Sequence, residues 1–143
     1  MYYFLHNPHR LLFYAAMLIL GFTNLFNRKF DLQFHDVYFV FPFYSLGVLN
    51  FLLYVFFASG YWLTLRFGAR LHPGLTILHL AFTFAASFFV IGGLYYFSKL
   101  YVSEQMIIPA SVYISNYIDI IALFWPLIPL IYLINLGQAW WRR

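Results

Sequence analysis

The chain has 143 residues, 64% of them hydrophobic and 8% charged, and its mean hydropathy is +0.79; soluble domains carry about 25% charged residues, so the composition reads as an integral membrane protein with no soluble domain beside it. The formal charge of +4 comes from eight Lys and Arg against four Asp and Glu; the basic residues are scattered, leaving no cluster to neutralise phosphates and so excluding nucleic acid as a partner. Cysteine is absent, which excludes disulfides, iron–sulfur clusters and thiolate metal sites and says nothing about redox compartment.

At about 20 apolar residues per crossing, this length suits one domain of four helices: an all-α, four-transmembrane-helix bundle with spans at about 11–27, 41–66, 75–98 and 110–140. The start, with His6, Pro8, His9 and Arg10 ahead of an apolar run over 11–26, looks like a signal peptide. A small-residue cleavage pattern is missing, and Asn24, Asn27, Arg28 and Lys29 follow, so the run is expected to stay as the first helix. The next apolar run, from Val37 to about Leu65, is longer than one crossing requires. Proline is tolerated in a helix's first turn, so Pro42 predicts a helix starting near Phe41, with residues 38–40 as an extended approach.

Arg66, Gly68, Arg70, His72, Pro73 and Gly74 read as a helix-breaking turn. In the third span, Ala81, Ala85, Ala86, Gly92 and Gly93 recur at spacings of four and seven, which predicts close approach of a neighbouring backbone. Thr76, His79 and Thr83 lie at i, i+3 and i+7 and so share a face that should point at protein. The fourth span contains Pro126 and Pro129, expected to kink it, and ends at Trp140-Trp141-Arg142-Arg143, an interfacial anchor. Four crossings gather Arg10, Arg66, Arg70, Arg142 and Arg143 on one side. Arg28, Lys29 and Lys99 lie on the other with Asp31, Asp36 and Glu104. The excess of basic residues predicts an N-in, C-in topology, with both termini in the cytoplasm of a bacterial inner membrane or, as the alternative, in the matrix of a mitochondrial one.

The stretch His35-Asp36-Val37-Tyr38-Phe39-Val40 resembles the segment that opens the tenth helix of haem-copper oxidase subunit I, where a His-Asp-Thr-Tyr sequence precedes a His-x-His pair of haem ligands. The resemblance extends over most of the chain, since subunit I ends in four helices of similar spacing. His79 to Phe84 is similar to the start of the family's eleventh helix, and Leu136 to Arg143 to its terminal anchor. It implies that His35 and Asp36 stand where the family has a pair near a magnesium site, and that Phe43 and Ser45 stand where it has the haem-ligating histidines. Neither side chain offers the imidazole a haem iron needs, and the third loop, Lys99 to Gln105, lacks the family's arginine pair. The resemblance therefore implies a relative without the redox chemistry.

His35 and Asp36 could hold a divalent cation, such as magnesium at an interface, but two ligands are too few and a partner carboxylate would be needed. The plainer reading is a polar cap, with Asp36 favoured by the positive end of the following helix. Asp119 is an ionisable residue inside an apolar span, which costs a few kcal/mol by insertion scales; Asn116, Tyr113 or Tyr117 could pair with it structurally, or it could carry protons or ions. His79 has no second histidine at i+3 or i+4, which favours an interhelical hydrogen-bonder over a metal ligand. No catalytic residue set is discernible, and neither haem nor any other cofactor is expected. The reading is a non-catalytic subunit of a larger membrane complex, a respiratory one if the resemblance holds, in contact with lipid and with other subunits or copies of itself. The alternative is a self-contained oligomeric transporter or ion conductor using Asp119 and His79.

Overall fold

The computed structural model describes residues 7–25, 29–34, 37–102 and 125–142. Four helices and one antiparallel hairpin make up the described residues: α1 (Pro8–Asn24), β1 (Lys29–Phe34), β2 (Val37–Pro42), α2 (Phe43–Arg66), α3 (Pro73–Val102) and α4 (Leu127–Trp141). Of these, α2 is long and apolar enough to cross a membrane, as is the Pro73–Gly93 stretch of α3.

Prolines set the helix starts. Pro8 occupies the first turn of α1, where its missing N–H has no intrahelical acceptor to lose. Pro42 stands one position outside α2, extended at ψ 143°. A residue preceding proline is pushed out of the helical region, so Phe41 cannot be the first helical residue and the expected start near 41 moves to Phe43. The third helix likewise starts at Pro73, two residues before the expected 75. Pro126 is the N-cap of α4 and Pro129 falls in its first turn, where a missing N–H again costs nothing. The two prolines therefore open the described helix at Leu127; of the expected 110–140 span, residues 110–124 lie outside the described residues, and the expected kink falls at that boundary.

The end of α2 is set by glycine. Gly68 has φ +77°, its N–H donates to Leu65 O, and the next N–H, of Ala69, donates to Thr64 O. These paired bonds close the helix in a Schellman motif, which needs a left-handed residue at this position. The polar turn read between residues 66 and 74 is in place.

The hairpin was not anticipated. Its strands pair from Lys29↔Pro42 to Phe34↔Val37, so the extended approach expected at 38–40 is part of a full strand that begins at Val37. Continuous aromatic and β-branched residues serve a strand as well as a helix; pairing with β1 decides between them.

Antiparallel contacts join α1 to α2, α2 to α3 and α3 to α4, which leaves α4 running parallel to α2. Leu12 and Ala16 of α1 pack with Tyr54, Phe57, Ala58 and Tyr61 of α2, Leu80 of α3, and Ile128 and Tyr132 of α4. Phe67 meets Trp140, their rings 5.8 Å apart, so the start of α1, the α2–α3 turn and the end of α4 share one end of the bundle, where Arg10, Arg66, Arg70 and Arg142 all lie.

The close approaches are made by Gly47 and Gly60 of α2, where a Cβ would collide with the Thr23 hydroxyl and the Tyr132 hydroxyl, respectively. Of the small residues of α3, Ala86 packs against the core, whereas Ala81 and Ala85 are exposed and a Cβ on Gly92 would meet nothing within 4 Å among the described residues.

Candidate functional site

Polarity is distributed inside out. The fully buried side chains include Thr23, Thr64, Thr76, His79, Thr83 and Asn135, whereas Phe88 is 75% exposed, Leu18 72%, Phe56 63% and Leu133 61%. A water-soluble fold does the reverse, keeping large apolar side chains in and amides out. Thr23 and Thr64 bond back to carbonyls of their own helices; the other buried polar groups join into a column along the seam of α2, α3 and α4.

Its contribution from α3 follows helical spacing. Residues 72, 76, 79, 83 and 87 are separated by four, three, four and four positions, so they stack on one face and extend over about 22 Å at 1.5 Å per residue. Thr76, His79 and Thr83, read as one protein-facing set, are buried as expected. Across from them α2 supplies Tyr61, Tyr54 and Asn50, and α4 supplies Asn135 and Tyr132.

At the basic end, Asn135 ties three elements together. Its Oδ1 accepts the His72 backbone N–H at 3.1 Å, and its Nδ2 donates to Thr76 Oγ1 at 2.9 Å and to the Tyr61 hydroxyl at 3.4 Å. Thr76 in turn donates to His72 O at 3.0 Å. An amide has the right complement for this position because it accepts on one side and donates twice on the other.

His79 comes next. Tyr61 Oη lies 3.0 Å from its Nδ1, and Thr83 Oγ1 lies 3.4 Å from its Nε2. Thr83 already donates to His79 O at 2.7 Å, so its oxygen is left to accept from Nε2–H. Tyr61, receiving from Asn135, donates its own proton to Nδ1. One tautomer satisfies every bond: neutral imidazole protonated on Nε2. Phe57 meets the ring edge-on at 4.7 Å and Tyr132 lies tilted at 5.2 Å, and the Tyr132 hydroxyl donates to Phe57 O at 3.3 Å.

Above this level Tyr54 Oη reaches Thr83 O at 3.2 Å and Ser87 Oγ at 2.9 Å. Ser87 donates to Asn50 Oδ1 at 2.9 Å, and Asn50 Nδ2 donates to Leu46 O at 3.0 Å. The column thus ends at an amide on each side, and carbonyl oxygens interrupt it between Thr83 and Tyr54. Amides and backbone carbonyls do not pass protons as hydroxyls and imidazoles do; the described groups form a set of interhelical clasps.

Of the residues singled out in sequence, His79 lies at the centre of the column, while His35, Asp36, Asn116 and Asp119 lie outside the described residues. Phe43 is buried at the first position of α2, edge-on to Tyr95 at 6.4 Å, and Ser45 is half-buried two residues on. Among the described residues no three His, Cys, Asp or Glu side chains converge. Asn50, Tyr54, Tyr61, Ser87, Tyr132 and Asn135 were missed in sequence. A signal existed: Asn50, Tyr54 and Tyr61 fall at i, i+4 and i+11 of an otherwise apolar helix, and Asn135 follows Tyr132 by three. No protein-family model, curated protein or solved structure matches the chain.

Proposed function

We propose that the chain is a non-catalytic integral membrane protein, a helical scaffold that serves as a subunit of a larger membrane complex. The observation that carries the reading is the inverted polarity: hydrogen-bonded Thr, Asn, Ser and His inside, bare Phe and Leu outside. In a bilayer such an exterior is solvated by lipid, while interior polar groups must find partners within the protein. The basic end, with Arg10, Arg66, Arg70 and Arg142 beside Trp62, Trp140 and Trp141, suits the cytoplasmic or matrix interface and supports the N-in, C-in orientation. A respiratory complex is the partner suggested by the resemblance, and that part of the proposal rests on His35-Asp36-x-Tyr38-Phe39-Val40. The clasped column favours the scaffold over the conductor, since its groups are already engaged with one another. Gentle extraction from the native membrane followed by identification of what co-purifies tests the reading: stoichiometric partner subunits are expected, and a pure homo-oligomer that moves ions in vesicles would overturn it.

A further inference from the structure

Residues paired across an antiparallel ladder share a face of the sheet, and successive residues along a strand alternate between faces. The register Phe30↔Phe41, Leu32↔Phe39 and Phe34↔Val37 therefore gathers six apolar residues on one face of the β1–β2 hairpin. Lys29, Asp31 and Gln33 stand on the other face, paired with Pro42, Val40 and Tyr38. A two-stranded hairpin is marginal in water unless such a face is covered. Among the described residues, neither strand has extended contact with a helix beyond the junction of β2 with α2.

Three constraints select what covers it. The first is depth: the 24 residues of α2 span about 36 Å at 1.5 Å per residue, against a hydrocarbon core of about 30 Å. Trp62 and Arg66 mark one boundary, so Phe43 reaches the other, and the hairpin joined to it through Pro42 starts there. The end of α1 meets α2 at this level, Thr23 against Gly47, and the helices around it expose Leu18, Leu25, Tyr44 and Leu49. The hairpin thus adjoins a surface already read as lipid-facing.

The second constraint is the backbone. A lone hairpin has two open edges whose N–H and C=O groups need water, which keeps it out of the hydrocarbon core. The third is area. Two strands of six residues, at about 3.3 Å per residue and 4.8 Å between strands, present a face of roughly 200 Å². A stable protein interface takes about 800 Å² from each partner, which this face alone does not supply; a bilayer sets no such minimum.

We propose that the hairpin lies flat at the headgroup–acyl boundary of the leaflet opposite the basic end, fixing the depth at which α2 enters the membrane. The face of Phe30, Leu32, Phe34, Val37, Phe39 and Phe41 rests on the acyl chains, and the face of Lys29, Asp31 and Gln33 meets water. The inference rests on the membrane reading above. Standing upright, the same strands would carry Phe34 and Val37 about 20 Å into water.

The test uses the full chain in phosphatidylcholine vesicles, with single-cysteine variants carrying an environment-sensitive fluorophore. Two quenchers are compared: iodide on both sides of the membrane, and phosphatidylcholine with a nitroxide near the top of its acyl chain, the depth that interfacial elements reach. Leu32→Cys should lose its fluorescence to the lipid nitroxide and resist iodide, and Gln33→Cys should do the reverse. Should Leu32→Cys fail to fold, Phe39→Cys, its partner across the ladder, reads the same depth. Phe56→Cys, on the exposed side of α2, is the control. Quenching of Leu32→Cys and Gln33→Cys alike by iodide, with Phe56→Cys resistant, would overturn the hairpin's placement and leave the membrane reading intact. Quenching of Phe56→Cys by iodide would overturn both. Resistance of Leu32→Cys to both quenchers would show protein over this face and overturn lipid as its occupant.

Discussion

Replacing Asn135 by leucine removes the point at which α4 is tied to α2 and to the start of α3. The substitution keeps the volume roughly constant, so the loss lies in hydrogen bonds rather than in a cavity. Three bonds go, and they are not equal. Thr76 and Tyr61 lose a donor to their oxygens but keep their own outgoing bonds, to His72 O and His79 Nδ1. Each of these losses is of the size measured for interhelical bonds in membranes, about 0.6 kcal/mol on average. His72 N–H, in a half-buried turn, loses the Oδ1 acceptor that it reaches at 3.1 Å, and an orphaned donor cut off from water costs about 1–3 kcal/mol. The expected destabilisation is therefore about 2–4 kcal/mol, measured by reversible unfolding in mixed micelles as the denaturing detergent fraction is raised. A double-mutant cycle with Thr76→Val should show coupling, because these groups share the 2.9 Å bond. A loss below about 0.5 kcal/mol for Asn135→Leu, less than one average interhelical bond, would refute the claim that the column holds the helices together.

Three further outcomes are expected. Gly60→Ala should lower the melting temperature sharply, since its Cβ strikes the Tyr132 hydroxyl, whereas Gly92→Ala should be neutral or stabilising because nothing lies within 4 Å; equal melting temperatures for the two would contradict the α2–α4 contact. His79→Gln should be tolerated, as the amide can still accept from Tyr61 and donate to Thr83, while His79→Phe should cost about 1–3 kcal/mol by stranding the Tyr61 hydroxyl; a fully folded His79→Gln variant that abolished the activity of the assembled complex would instead assign the imidazole a proton-carrying role. The purified chain should give no haem band in a reduced-minus-oxidised spectrum, because Phe43 and Ser45 offer no iron ligand, and a band at one haem per chain would contradict this.

Helical spacing made the Thr76, His79 and Thr83 face legible in the sequence, because periodicity reports which residues share a side whatever lies opposite. The turn at Gly68 was legible for the same local reason. What periodicity cannot report is which helix meets that side, so Tyr61 was invisible as a partner of His79, and Asn135 as a partner of Thr76, although each is an isolated polar group in an apolar run. The hairpin shows another limit. Phe30, Leu32 and Phe34 alternate with Lys29, Asp31 and Gln33, a period of two that marks a strand, yet the apolar residues from Val37 onward merge with α2 and conceal where strand gives way to helix. Small residues misled in the opposite direction: the spacing of Ala81, Ala85 and Gly92 suggests close packing, but the glycines that permit it, Gly47 and Gly60, were set apart only by the side chains facing them.

The central claim is that the apolar exterior faces lipid and the polar interior is closed. Because the natural chain has no cysteine, single-cysteine variants test it directly in sealed and in opened membrane vesicles. Leu18→Cys, Phe56→Cys, Phe88→Cys and Leu133→Cys should resist a charged, membrane-impermeant maleimide from both sides and react with a lipid-soluble one, whereas Arg142→Cys should react readily with the charged reagent once its side of the membrane is open to it. Labelling of Phe56→Cys and Phe88→Cys by the charged reagent as fast as Arg142→Cys would place that surface in water and contradict the account.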